Sequence, residues 1–191
     1  MGAVNTVVQR NGKLFGYNTD YFGFRYMLEH NHIQIAGKKV LVLGRGGASK
    51  AVIAVLEDMG AAEIHTIYYK IAEDSISYET CYALHTDAQV IVNTTPVGMY
   101  PNSGHTPIDL TPFTKLEAVA DAVYNPLRTR LVLDAEEKGC QAIGGLEMLV
   151  GQAKYAVEIF LDQSLPEDSI NVVYKDLMAE RSNLVLIGMY G

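Results

Sequence analysis

Cysteine is scarce in this sequence of 191 residues, and tryptophan is absent. The two cysteines, Cys81 and Cys140, are far apart and form no Cys-x-x-Cys pair, which argues against a disulfide framework. No apolar run approaches the roughly 18 residues that a membrane span needs, and the first residues show no pattern of a secretion signal. We therefore expect two free thiols and a cytoplasmic protein.

Positive charge is also in short supply. The sequence has 15 Lys and Arg against 22 Asp and Glu, which gives a net charge of -7. The basic residues are scattered and form no block, so we expect no nucleic-acid partner. The five histidines are equally dispersed, and His30 and His32 lack further ligands at a useful spacing. No metal site is predicted.

Short β-branched runs alternate with longer helical patterns, and this order indicates an α/β fold with a parallel sheet. The hydrophobic content of 49% suffices for one ordinary domain with a fragment of another. We expect a Rossmann-like, doubly wound parallel sheet with flanking helices. The predicted strands cover 40–43, 64–69, 90–93, 118–122 and 142–143, and the predicted helices cover 51–59, 76–84, 131–138 and 146–161. The apolar face of the last helix is assigned to Leu149, Ala153, Ala156, Val157 and Phe160.

Both ends of the sequence resemble pieces of other units. Residues 3–8 and 13–17 flank the Asn11-Gly12 pair, a strong signal for a β-hairpin, and a helix over 21–30 follows. A lone hairpin is marginally stable, so we expect this one to belong to a domain whose earlier part is absent. The final residues, NLVLIGMYG, form an apolar strand that enters glycines, like the opening of a phosphate-binding loop.

The segment VLVLGRGGASKA joins an apolar strand to a helix through glycines. Gly44 and Gly46 match the first two glycines of Gly-x-Gly-x-x-Gly, whereas Ser49 takes the third position. Such a turn lets the backbone approach a pyrophosphate at a helix N-terminus. The alternative is an ordinary tight turn between a strand and a helix.

The end of the second strand normally distinguishes NAD from NADP, through an acid or an arginine respectively. Here it has Tyr68, Tyr69 and Lys70, and so neither. Lys70 or Arg45 could face a 2′-phosphate, and the tyrosine rings could stack on adenine. Equally, the tyrosines could simply end a strand and Lys70 could be a solvated charge.

Six segments, taken in order, resemble the shikimate dehydrogenase family. They are GAVNTVV, GYNTDYFGF, GRGGASKAV, VNTTPVGMYP, DAVYNPLRTRL and GGLEMLVGQA. Members of this family reduce 3-dehydroshikimate to shikimate with NADPH, on the route to aromatic amino acids. Their active site lies between an N-terminal substrate domain and a C-terminal Rossmann-like domain. The resemblance therefore implies a small-molecule substrate and NADP as cofactor.

The resemblance also assigns individual residues. Asn5 matches a substrate-binding asparagine, and Asp20 matches the catalytic aspartate that also binds substrate; from the residues alone, Asp20 could instead be a helix N-cap. Tyr124 and Gln152 match further substrate-binding positions. The matches to cofactor-binding positions are Gly44, Arg45, Gly46, Gly47, Ala48, Tyr68, Tyr69, Lys70, Ala122 and Gly145. The family usually has alanine at position 45, Asn-Arg-Thr at 68–70 and a larger residue at 122.

The family's catalytic lysine has no counterpart in this sequence, since Lys13, Lys38 and Lys39 stand outside its motif. We therefore expect residues 1–24 to be the edge of the substrate domain and 25–167 the NADP-binding domain. Residues 168–191 would be a connecting helix and the first strand of a shikimate-kinase-like domain, so the parent would be a fusion. The isolated chain should bind cofactor without turnover. An NAD-preferring quinate or shikimate dehydrogenase and a non-catalytic dinucleotide-binding module remain alternatives, and a homodimer stays open.

Overall fold

The computed structural model describes residues 2–70, 72–166 and 168–181. It contains a two-stranded antiparallel hairpin and a five-stranded parallel sheet flanked by helices. In chain order the elements are β1 (Thr6–Arg10), β2 (Lys13–Tyr17), α1 (Thr19–His30), β3 (Lys39–Leu43), α2 (Gly47–Asp58), β4 (Glu63–Ile67), α3 (Tyr78–Leu84), β5 (Val90–Asn93), β6 (Ala118–Asp121), α4 (Arg130–Glu137), β7 (Gln141–Ile143), α5 (Leu146–Leu161) and α6 (Ser169–Arg181). The predicted α/β fold with a parallel sheet is confirmed.

The strands of the larger sheet follow the order β4-β3-β5-β6-β7. The chain moves outwards from β3 to β4, and then returns to place β5 on the other side of β3. This reversal makes a topological switch point at the carboxyl ends of β3 and β5, where ligands of open α/β sheets commonly bind. The sheet therefore positions a site beside Leu43 and Asn93.

Strand β3 is buried on both faces, as a central parallel strand should be. Because successive side chains point to opposite faces, Val40 and Val42 join the core under α1 and α2, whereas Leu41 and Leu43 join the core around Phe113. An uninterrupted apolar run thus contributes side chains to two cores.

Both cysteines are free, as predicted. Burial raises the pKa of the Cys81 thiol to about 11.

Several predicted boundaries differ from the observed ones. Strand β4 ends at Ile67, and the next helix begins at Tyr78 rather than at residue 76, because Ile76 pairs with Ile67 and Ser77 caps the helix. Strand β1 lies at Thr6–Arg10 rather than at 3–8. The two-residue turn fixes this register by pairing Arg10 with Lys13.

The predicted apolar face of α5 is wrong. Val157 is 40% exposed and Phe160 is 60% exposed, whereas Met148, Val150 and Gly151 are buried. The face is decided by close packing of α1 on α5, where a Cβ added to Gly151 would lie 3.0 Å from the Cα of Gly23. Two glycines that face each other therefore outweigh the apolar periodicity.

The hairpin is tied to the end of α5. The Arg10 guanidinium donates to the Ile159 carbonyl at 2.7 Å and lies 2.9 Å from the Asp162 carboxylate.

Within the described ranges, no helix is long and apolar enough to cross a membrane, and no cluster of potential metal ligands is found. The predicted apolar strand that enters glycines, residues 183–191, lies outside those ranges.

Candidate functional site

The turn after β3 requires glycine at position 44. Gly44 has a φ of +104°, and a Cβ there would lie 2.8 Å from Thr94 Oγ1. Its N–H donates to the carbonyl of Ile67 at 2.9 Å, which ties the turn to the end of β4. Gly44 is therefore fixed by both conformation and packing.

The next two glycines border open space. Gly46 caps α2, Gly47 begins it, and a Cβ on either would meet nothing within 4 Å. The third position of the motif turns inward, since Ser49 Oγ donates to the Gly46 carbonyl at 2.7 Å. Ala48 lies in the same first turn, whose N–H groups have no partner inside the helix. This surface can take a diphosphate against the helix N-terminus.

A cavity of about 540 Å³ opens beside this turn. It is bounded by the glycine turn, the residues after β4 and the loop after β5, and most of its surface is apolar. The rings of Tyr68 and Tyr69 stand 4.6 Å apart at its edge, and Tyr69 is 71% exposed. A largely apolar cavity lined by aromatic rings fits an adenine ring better than it fits a compact ion.

One charged side chain belongs to this cavity among its described lining residues, and that is Arg45. Its Nε lies 2.5 Å from Asp74 Oδ1, and the pKa of the Asp74 carboxyl is lowered by this hydrogen bond. Lys70 lies over the outer ring, with Nζ 5.2 Å from the centroid of Tyr69. Of the two cations predicted to face a 2′-phosphate, Arg45 lines the cavity and Lys70 does not.

A hydrogen-bonded group of polar side chains lies where the hairpin meets α1 and α5. Asn5 Oδ1 accepts the Thr19 backbone N–H at 2.8 Å, and Thr19 Oγ1 donates to Gln152 Oε1 at 3.1 Å. Since the carbonyl oxygen of Asn5 is held by a backbone donor, its amide NH₂ is available for Asp20. The three predicted residues Asn5, Asp20 and Gln152 thus share one corner.

Asp20 does not cap α1, so that alternative is wrong. Asn18 caps the helix instead, and its Oδ1 accepts the Asp20 N–H at 3.1 Å. The half-buried Asp20 carboxyl therefore remains available for other contacts. Burial raises the pKa of Asp20, and a hydrogen bond from the Asn5 side chain lowers it in part.

Helix α2 contacts the segment that precedes Asn5. Lys50, in the first turns of that helix, extends its Nζ to the Gly2 carbonyl at 3.4 Å, so the segment that leads to Asn5 runs past the glycine turn.

Ala122 and Tyr124 follow β6, and Gly145 follows β7 and caps α5. The Ala122 N–H donates to Asn93 O at 2.9 Å, and the Gly145 N–H donates to Val123 O at 3.0 Å. A Cβ on Gly145 would lie 2.3 Å from the Ala122 carbonyl oxygen, so glycine is needed there for backbone packing. Tyr124 is 38% exposed. These residues adjoin the switch point but do not line the 540 Å³ cavity.

The sequence-based prediction missed a buried polar network between the ends of β5 and β6. Asn93 Nδ2 donates to Asp121 Oδ1 at 2.9 Å, Thr129 Oγ1 donates to Asp121 Oδ2 at 2.6 Å, and the Val123 N–H donates to Asp121 Oδ1 at 2.9 Å. Asn93 Oδ1 in turn accepts from Thr95, in the loop that borders the cavity. Burial raises the pKa of Asp121 to about 6. A polar residue at the end of a fully buried strand was the available signal.

Many proteins are similar in sequence to this chain. It is 39% identical over 174 residues to the shikimate dehydrogenase (NADP(+)) of Clostridium beijerinckii, covering 86% of this chain and 64% of that protein. It is 36% identical over 187 residues to the enzyme of the same name from Clostridium perfringens strain SM101, covering 93% and 69%. No protein-family model matches the chain.

Solved structures agree with these relatives. A chorismate mutase/shikimate 5-dehydrogenase fusion protein from Clostridium acetobutylicum superposes with a TM-score of 0.87 at 35% identity, covering 94% of this chain and 68% of that one. The shikimate 5-dehydrogenase of Thermus thermophilus, in complex with NADP(H) and shikimate, gives 0.79 at 31% identity, covering 92% and 68%. The chain thus spans roughly two thirds of the length of these proteins.

Proposed function

The chain belongs to the shikimate dehydrogenase family, and from this premise we propose that it is the NADP-binding part of an enzyme that interconverts 3-dehydroshikimate and shikimate. The glycine turn carries this proposal, since Gly44 is fixed by packing while Gly46 and Gly47 border open space beside the cavity. The names of the relatives include NADP(+), which does not favour the NAD-preferring alternative. The corner that holds Asn5, Asp20 and Gln152 does not favour a non-catalytic module, because these residues match substrate-side positions of the family.

In this proposal the diphosphate lies against the backbone of Gly44–Ala48 and the adenosine end extends towards Tyr68 and Tyr69, whereas Lys70 lies outside the cavity lining. Ala122 and Gly145 would lie on the nicotinamide side. When bound, the nicotinamide supplies or accepts the hydride. Asn5, Asp20, Tyr124 and Gln152 would then contact the substrate.

Asp20 is assigned the role of the aspartate that, in the family, pairs with the catalytic lysine that acts as the acid–base group. Hydride transfer to a carbonyl carbon leaves an oxygen that must take up a proton, and a positioned acid–base group typically contributes about 10² to 10⁴ in rate. Asp20 is half-buried, and the Asn5 amide donates to it. Because Asn5 is itself held by Thr19, this pair can orient the substrate hydroxyl at which the proton moves.

We further propose the division into 1–24 as the edge of a substrate domain, 25–167 as the NADP-binding domain and 168–191 as a connection to a kinase-like domain. The separate two-stranded and five-stranded sheets support the boundary between the first two units. A cytoplasmic location and a homodimer are proposals from the sequence. A mass of 21.0 kDa by light scattering would contradict the dimer.

Replacement of Gly47 by aspartate is expected to weaken NADP+ binding to the chain at least tenfold. The new carboxylate would enter the space assigned to the diphosphate, while an acid in the first turn of a helix favours the helix itself. Isothermal titration calorimetry on the wild type, Gly47→Asp and the uncharged control Gly47→Ala measures this. Saturable binding that is unchanged in Gly47→Asp would contradict the proposed diphosphate site, and a wild type that binds no NADP+ would contradict the proposed function.

The 191-residue chain is expected to show no turnover of shikimate with NADP+. The catalytic aspartate of the family works with a lysine, and no lysine of this chain stands in that motif. A steady-state assay of NADPH absorbance with the purified chain tests this. NADPH formation above the blank that depends on Asp20, and is lost in Asp20→Asn, would contradict the proposed division of the chain.

A further inference from the structure

The adenosine end of the cavity departs from the pattern in which an arginine follows the second strand. Tyr69 stands at that position and is 71% exposed. Arg45 enters the cavity from the other side, from between the glycines that begin the diphosphate turn. The positive charge at this end of the cavity therefore comes from Arg45, which follows β3. The Arg45 guanidinium is paired with the carboxylate of Asp74.

The carboxylate comes from a turn that β4 holds in place. The stretch after β4 folds back, with Ala72 bridged to Ser75 and Ile76 bridged to Ile67. The Ile76 N–H donates to Thr66 O at 2.9 Å, and the Tyr68 N–H donates to Ile76 O at 3.0 Å. Asp74 stands at the tip of this fold, where its Oδ1 lies 2.5 Å from Arg45 Nε.

Resting on the proposed function, we propose that Arg45 is the residue that selects the 2′-phosphate of NADP, and that Asp74 competes with this phosphate for the guanidinium. The Arg45 side chain is 46% exposed and that of Asp74 is 63% exposed. An ion pair this exposed is readily broken in water, so a phosphate can replace it. Guanidinium has five donors in a fixed fork, which suits bidentate binding of a phosphate.

Electrostatics give the sign of Asp74's effect. A 2′-phosphate bound by Arg45 would stand near the Asp74 carboxylate, and two negative charges would share one guanidinium. The ribose 2′-hydroxyl of NAD carries no charge and does not compete for Arg45. Asp74 therefore weakens NADP binding without weakening NAD binding, and sets how strongly the chain discriminates between the two.

Lys70 provides the matched comparison. It follows the two tyrosines after β4 and carries the same charge as Arg45, but its Nζ lies over the outer ring of Tyr69 and it does not line the cavity. A general attraction of NADP to positive charge would make Lys70 and Arg45 equivalent. Selection by Arg45 makes them different.

The test is calorimetric titration of the full chain with NADP+ and NAD+, for the wild type, Arg45→Gln, Asp74→Asn, Lys70→Gln and the Arg45→Gln/Asp74→Asn double variant. Arg45→Gln should raise the Kd for NADP+ at least tenfold and change that for NAD+ less than twofold. Asp74→Asn should lower the Kd for NADP+ at least threefold, and this gain should vanish in the double variant. Lys70→Gln should change either Kd less than twofold.

The outcomes distinguish a failure of the proposed function from a failure of the assignment of Arg45. If neither nucleotide binds the wild type, the proposed function fails and this inference fails with it. If NADP+ binds but Arg45→Gln leaves the ratio of the two Kd values unchanged, the proposed function stands and Arg45 is not the selecting residue. If Asp74→Asn weakens NADP+ binding, Asp74 orients Arg45 and does not compete for it.

Discussion

Replacement of Gly23 by alanine is expected to lower the free energy of unfolding by about 3 kcal/mol, the upper part of the usual range for overpacking. The new Cβ would lie 2.4 Å from the Met148 carbonyl oxygen and 2.7 Å from the Gln152 nitrogen. Both are backbone atoms of α5, so no change of rotamer relieves the contact. The two helices must move apart, and the higher helix propensity of alanine, worth about 1 kcal/mol, offsets only part of the cost.

Urea denaturation followed by circular dichroism measures this change. Gly47→Ala is the matched control, because Gly47 is also helical but a Cβ there meets nothing within 4 Å. The control should be as stable as the wild type or up to about 1 kcal/mol more stable. A loss below about 0.5 kcal/mol in Gly23→Ala, well under the usual cost of overpacking, would show that α1 and α5 can repack freely.

The same substitution should disturb the corner that holds Asn5, Asp20 and Gln152. Thr19 stands one turn before Gly23 on α1, and its hydroxyl donates to Gln152 on α5. Separation of the helices would stretch this contact, and with it the support of Asn5 by Thr19. The close approach at Gly23 therefore links the stability of the fold to the geometry around Asp20.

The parallel sheet could be predicted because its strands are short apolar runs with few alternatives. Val90–Asn93 is predicted to the residue, and the helix at Leu146–Leu161 likewise. The apolar face of that helix could not be predicted, because Ala153, Val157 and Phe160 satisfy helical periodicity as well as the buried residues do. The choice depends on Gly23, which lies far away in the sequence.

The glycine turn could be predicted from a local pattern, whereas the polar network around Asp121 could not. Asn93 and Asp121 end different strands, and only the register that places them side by side makes them partners. Thr129 reaches Asp121 from the start of α4. Each residue alone is an ordinary polar residue at the end of an element, so the network becomes visible only after the strands are paired.

The Asp121 carboxyl is expected to make the free energy of unfolding depend on pH. Its two oxygens accept from Asn93, Val123 and Thr129, but burial outweighs these hydrogen bonds and raises its pKa from the ordinary 3.8 to about 6. Between these two values the folded chain binds more protons than the unfolded chain. Stability therefore falls as the pH rises through this window, and the contribution is fully present only below pH 3.8.

Asp121→Asn removes this titration while it keeps the shape of the side chain. Its Oδ1 can still accept from Asn93 and Val123, and its Nδ2 can donate to Thr129 Oγ1. Between about pH 4.5 and 7.5 the wild type should therefore lose about 2 kcal/mol more stability than Asp121→Asn, a figure that follows from the two pKa values by linkage. Because all other groups titrate in both proteins, the difference between their urea-unfolding free energies isolates Asp121. A difference that stays constant across this range would mean that the folded chain holds Asp121 with its ordinary pKa, and that the network at the ends of β5 and β6 solvates the charge fully.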